Sequence, residues 1–159
     1  MLEEFISILK AHGVEKVADI RTVPRSRKNP QFNRDTLPGE LEKENIQYVH
    51  LPLLGGLRKA RQDSINMAWE NESFRGFADY MQTGDFAKGL DEVIAMAGEA
   101  RLALMCAEAV PWRCHRSLVA DALAARGIPV EHIMSIKKRN PHTVTKFAKV
   151  EAGRVTYPG

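Results

Sequence analysis

Both cysteines of the chain fall in one short stretch, Cys106-Ala-Glu-Ala-Val-Pro-Trp-Arg-Cys114, which runs directly into His115 and Arg116. A thiol beside cations and at a helix N-terminus is shifted toward thiolate, the form that attacks electrophiles and binds metals. Cys114, flanked by Arg113 and Arg116 and followed by an amphipathic run, meets both conditions and is the candidate nucleophile. Cys106 ends an apolar strand and is by itself as well read as a small core residue. As a second thiol close to the first, it could also resolve an oxidised or covalent form of Cys114. Glu108 and His115 are the candidate proton-transfer groups, and Arg116 with the helix N-terminus is a candidate anion holder.

The elements around this loop decide what else can reach it. Leu2, Phe5, Ile6 and Leu9 recur at helical spacing up to Gly13, so the chain is expected to open with a helix. A buried strand over 14–21, a weak helix over 35–45 and a strand over 47–53 should follow. Helices carrying Phe74 to Met81 and Phe86 to Ala97 come next, separated at Gly84. The apolar run 101–106 reads as the central strand of a parallel sheet, the cysteine loop precedes a helix closed by Gly127, and 130–134 reads as one more strand. The tail, 147–157, reads as a hairpin around Glu151-Ala152-Gly153. Alternating helix and strand predicts one α/β domain over 1–159, a three-layer sandwich with a mostly parallel central sheet and helices on both faces.

In a parallel sheet, ligand sites gather at the carboxyl ends of the strands. Asp19 and Arg21 project to one side there, either as acceptor and anion clamp or as an internal ion pair. Tyr48 and His50 repeat the spacing on the neighbouring strand, which Gly55-Gly56 breaks. The expected site therefore has Cys106, Glu108, Cys114 and His115 as its reacting groups. Asp19, Arg21, Ser26, Arg27, His50, Gly55, Gly56 and Arg116 are its expected binding groups for an anionic, phosphate- or nucleotide-like small molecule.

Composition narrows the classes. At 159 residues and a formal charge of +3, the chain is long enough for one core, and no apolar run approaches a membrane span. A soluble, cytoplasmic protein is expected, in which a cysteine pair is more often reactive or metal-bound than a permanent bridge. Arg21, Arg25, Arg27, Lys28 and Arg34 cluster early and Arg58 follows, so a nucleic-acid-binding accessory is an alternative reading. A thiol- or redox-responsive interaction module is a further one. Cys-Ala-Glu also occurs in zinc-dependent deaminases, but the Pro-Cys-x-x-Cys pair they need is missing. Cys106, Cys114 and His115 are poorly spaced for one tetrahedral zinc, so no metal or cofactor is expected. A rhodanese- or phosphatase-like reading shares the layout, but those folds wrap one cysteine in a shorter anion loop.

A family pattern is carried by Asp19-Ile-Arg21-x-x-Pro24-x-Ser26-Arg27, Asn29-Pro30-x-Phe32-Asn33, Tyr48-x-His50-Leu51, Leu54-Gly55-Gly56, Phe77-x-x-Tyr80-Met81 and the whole run from Met105 to Arg116. These motifs, with His132-Ile133, resemble the DUF488 family over nearly the whole chain. The resemblance implies a small bacterial or archaeal α/β protein from a family without an assigned activity. Family members usually begin with a short strand ahead of the first helix, and this chain starts at that helix. If that strand belongs to the central sheet, the resemblance implies that a chain without it is less stable and lacks part of its pocket.

Overall fold

The computed structural model describes residues 2–22, 30–106 and 114–159. Helix α1 (Leu2–Ala11) leads through Gly13, at φ +69°, into strand β1 (Lys16–Asp19). A 3-10 turn (Pro30–Phe32), helix α2 (Leu37–Glu42), strand β2 (Gln47–His50) and a second 3-10 turn (Pro52–Leu54) follow. Helices α3 (Glu72–Tyr80) and α4 (Gly84–Glu99) precede strand β3 (Leu102–Met105), and α5 (Arg116–Ala125) comes after the cysteine segment. Short strands β4 (Glu131–Ile133), β5 (Arg139–Pro141), β6 (Lys149–Glu151) and β7 (Arg154–Thr156) complete the chain.

The main sheet is parallel, in the order β2-β1-β3, and its register puts Asp19 level with His50 on one side and Met105 on the other. Three strand ends therefore meet on one rim. Alternation sorts the apolar residues into two clusters. Ala18 and Ile20 join Leu54, Phe77, Leu90, Val93, Leu118 and Val119, while Val17 joins Leu9, Leu37, Leu41 and Met105. Ile20 and Val17 are fully buried, and each such side chain contributes about 1.5–3 kcal/mol relative to exposure.

One expectation about the sheet is corrected. The apolar run at 101–106 forms an edge strand, because β1 pairs on both sides and takes the middle. The strand expected at 130–134 is present as β4, which pairs antiparallel with β5 in a separate ribbon. Leu102, Ala103 and Leu104 are only half-buried while Val17, Ala18 and Asp19 are fully buried, so the more apolar strand is the less enclosed one.

Local signals elsewhere act as their chemistry dictates. Asn71 caps α3 by accepting from the amides of Ser73 and Phe74, at 2.9 and 3.1 Å, and Thr83 caps α4 by accepting from Phe86. The tail hairpin turns at Ala152 and Gly153, both at positive φ, the geometry that suits a two-residue hairpin. It delivers Val155 and Tyr157 into the larger cluster. Among the described residues no helix is long and apolar enough to cross a membrane.

Candidate functional site

Sequence adjacency makes α5 begin where the β3 rim ends, and the site is built around its first residues. His115 is the cap residue of α5. Its Nε2 lies 3.0 Å from the Ile20 carbonyl and 2.9 Å from the Leu54 carbonyl, and carbonyls only accept. Nε2 must therefore carry a proton, which leaves Nδ1 of the neutral ring as a lone pair. That atom is 3.6 Å from Cys114 Sγ. The imidazole also meets the Phe77 ring edge-on, with centroids 4.8 Å apart.

The sulfur has a second partner in the Arg116 amide, which donates to Cys114 Sγ at 3.3 Å. Cys114 is buried, and its sulfur is joined to that of Cys106, with α-carbons 7.2 Å apart. The next amides are already used: Ser117 N donates to the Cys114 carbonyl and Leu118 N to the His115 carbonyl. The end of α5 thus favours negative charge on the sulfur more than it offers an open cradle for a bound anion.

The glycine pair supports this arrangement by close approach. A Cβ on Gly56 would lie 2.5 Å from His115 Nδ1, and one on Gly55 would strike the side chain and α-carbon of Thr22. Their role is to bring the Leu54 carbonyl under the imidazole.

Asp19 and Arg21 form the other half of the rim. Arg21 Nε and Nη2 donate to the two carboxylate oxygens of Asp19 at 2.9 and 2.7 Å, and Nη2 also donates to the Phe32 carbonyl at 2.6 Å. Tyr48 donates its hydroxyl proton to Asp19 at 2.5 Å. Of the two alternatives left by the sequence, the internal ion pair is the one present, and it is almost wholly buried. Burial opposes the Arg21 charge, yet the Asp19 hydrogen bonds and charge outweigh it and raise the guanidinium pKa. Burial, then Asp19, raises the Tyr48 phenol as well. His50 Nε2 sits 2.7 Å from the Arg21 carbonyl, so it braces the rim from the second strand.

Arg58 is likewise engaged. It donates to the carbonyls of Gly55 and Pro52 and stacks 3.6 Å over the Tyr80 ring. Arg34 stays exposed. Ser26, Arg27 and Glu108, like Arg25 and Lys28, lie outside the described residues. Among the described residues no cluster of three or more histidine, cysteine or acidic side chains could hold a metal.

His115 carries a pH consequence. Burial lowers its pKa, and the charges of Arg116 and Arg58 add to that against the two carbonyl bonds. A histidine depressed in the fold binds fewer protons than in the unfolded chain below about pH 6.5. Its contribution to stability is whole above that pH and is lost as pH falls. Urea midpoints measured from pH 7.5 down to 5 should decline, and His115→Gln should flatten the decline. An equal slope in the variant would reject this assignment.

Sequence reading missed two buried carboxylates. Asp79 accepts from Arg61 N, Ser64 Oγ and Asn66 Nδ2, and so ties the 61–66 loop to α3. Asp121 sits on α5 amid Leu118, Val119 and Ala122, all buried. A charge within an apolar helical stripe was the available signal, because such a group is buried only with partners. The partners themselves, His142, Thr145 and Tyr157, come from a tail whose sequence gives no pairing signal.

The family model described as a domain of unknown function, DUF488, matches residues 1–123. That match ends within α5 and does not reach His132-Ile133. No curated protein and no solved structure matches the chain.

Proposed function

The chain belongs to the DUF488 family, and on that footing we propose that it is a thiol-dependent enzyme acting by thiol–disulfide exchange, with Cys114 as attacking sulfur and Cys106 as resolving sulfur. The observation that carries this is the His115 ring, held by two carbonyls so that Nδ1 faces Cys114 Sγ. In the reduced protein Cys114 gives its proton to Nδ1, and the Arg116 amide stabilises the thiolate. The thiolate attacks one sulfur of a small-molecule disulfide, forming a mixed disulfide and expelling the other half as a thiolate. Cys106, deprotonated, then attacks Cys114 Sγ, closes the protein disulfide and releases the second half. The net change is one substrate disulfide and one protein dithiol converted into two small thiols and one protein disulfide.

The phosphate-like ligand expected from sequence has narrower support. The Arg21 fork is spent on Asp19 and the first α5 amides are spent on the backbone and the sulfur. The two apolar clusters on opposite strand faces support reading residues 1–159 as one three-layer α/β domain. The cytoplasm is the setting we infer, since its reducing poise would return the pair to thiols.

The test uses oxidised glutathione as the disulfide. Cys114→Ser should abolish thiol release, and Cys106→Ser should trap a mixed disulfide visible by mass. Iodoacetamide at pH 7 should modify reduced Cys114 about tenfold faster than an ordinary thiol of pKa about 8.5. Alkylation of both cysteines only at alkaline pH would sink the proposal.

A further inference from the structure

The buried carboxylate on α5 starts a chain of hydrogen bonds that leads away from the cysteines. Asp121 is fully buried and accepts four hydrogen bonds. His142 Nε2 at 2.7 Å and the Thr145 amide at 3.0 Å reach Oδ1, while the Thr145 hydroxyl at 2.7 Å and the Tyr157 hydroxyl at 2.8 Å reach Oδ2. With its Nε2–H given to Asp121, neutral His142 has a lone pair on Nδ1. That lone pair is met by His132 Nε2 at 2.7 Å. The donor there is His132, so its own lone pair is on Nδ1.

His132 forms part of the wall of a cavity of about 190 Å³. The cavity runs along the outer edge of β3, and Leu102, Leu104, Val93, Leu123 and Ile128 make it mostly apolar. Two charged side chains also line it, Arg116 from α5 and Glu131 from β4. Glu131 lies 3.8 Å from Arg139 on β5. The volume fits a compact molecule, smaller than the ligands that fill most enzyme pockets.

We propose that this groove is a second small-molecule site, independent of the cysteine pair, in which His132, His142 and Asp121 relay a proton to and from a compact, largely apolar ligand bearing one acidic group. In the relay, the ligand's acidic proton goes to His132 Nδ1 while the bonding pair stays on the ligand. The His132 Nε2 proton passes to His142 Nδ1. Positive charge then rests on His142, hydrogen-bonded through Nε2 to the Asp121 carboxylate, and the ligand anion shares the groove with Arg116. Reversing the transfers returns the proton. No electron or co-reactant is required.

The arrangement explains why His132 is neutral and available at pH 7. Burial lowers its pKa to about 4, with the charges of His142 and Arg116 adding to the effect and Asp121 opposing it. A charge left on His132 would stand near Arg116. Moved one ring inward, it lies against the Asp121 carboxylate. Tyr157, whose phenol pKa is raised by burial and then by Asp121, stays protonated and keeps donating.

Benzoate, an apolar ring with one carboxylate already ionised at pH 6.5, is the probe, so the proton that the histidine pair takes up on binding comes from solvent. Calorimetric titration of the full chain at pH 6.5 in two buffers of different ionisation enthalpy should show saturable binding with net uptake of about one proton. The affinity should weaken up to about tenfold per pH unit between pH 6.5 and 8. His142→Gln can still donate to Asp121 but cannot take a proton, so binding should persist with proton uptake lost. If that variant does not fold, His132→Gln, on the cavity wall, makes the same comparison. Absence of saturable binding, binding without proton uptake, or unchanged uptake in both variants would overturn the proposal. Cys114→Ser should leave all of these values unaltered, which separates this site from the thiol reading.

Discussion

Replacing Asp121 with alanine is expected to cost about 3–5 kcal/mol of folding stability, because a buried charge that organises several donors is lost while the donors stay buried. On a chain of this size that is a fall of roughly 6–20 °C in melting temperature. Four donors converge on the carboxylate from three places in the tail, namely His142, Thr145 and Tyr157. The substitution therefore releases the C-terminal segment from α5 as well as removing hydrogen bonds. Asparagine separates this account from a simple volume effect. Its carbonyl can replace Oδ1 and still accept from His142 and the Thr145 amide. Its NH2 would face the hydroxyls of Thr145 and Tyr157, which can rotate their protons away and accept instead. Asp121→Asn should cost about 1 kcal/mol. Urea denaturation of both variants checks the pair, and equal losses would refute the network interpretation.

The rim of the site was legible because strand ends announce themselves chemically. Asp19, Arg21 and His50 are polar residues ending apolar runs, and the ladder puts Asp19 and His50 level. Whether Arg21 faced a ligand or Asp19 was not legible. Two residues at i and i+2 share a side of a strand in either case, and only the positions of Phe32 and Tyr48 around them fix the pairing. The order of strands was hidden for a related reason. Leu102–Met105 is more apolar than Lys16–Asp19, but which strand lies in the middle depends on long-range pairing that composition does not encode.

At the cysteine segment the neighbours of Cys114 were legible and the state of its imidazole partner was not. Cys114, His115 and Arg116 are consecutive, so their proximity follows from the chain. The tautomer of His115 follows from two carbonyls, Ile20 and Leu54, that lie 95 and 61 residues away in sequence. The Asp121 network was illegible for the opposite reason, since its partners lie in a tail of short strands and polar connections.

Gly56→Ala should damage folding and thiol chemistry together. The added methyl would lie 2.5 Å from His115 Nδ1 and 2.8 Å from both Cε1 and Cγ. A flexible side chain would step aside at little cost. This ring is held by Ile20 and Leu54 through Nε2 and bordered by Phe77, so it cannot move without losing those contacts. Overpacking of this kind costs about 1–3 kcal/mol. The atom struck first is Nδ1, the one that faces Cys114 Sγ, so the iodoacetamide rate at pH 7 should fall by about tenfold, toward that of an unassisted thiol. Gly98→Ala supplies the control. A Cβ there meets nothing within 4 Å, and the residue lies within α4, so alanine should stabilise by up to about 1 kcal/mol and leave alkylation unchanged. If Gly56→Ala lowers stability but leaves the alkylation rate intact, His115 holds the loop without activating Cys114. The thiol would then owe its reactivity to the α5 terminus alone.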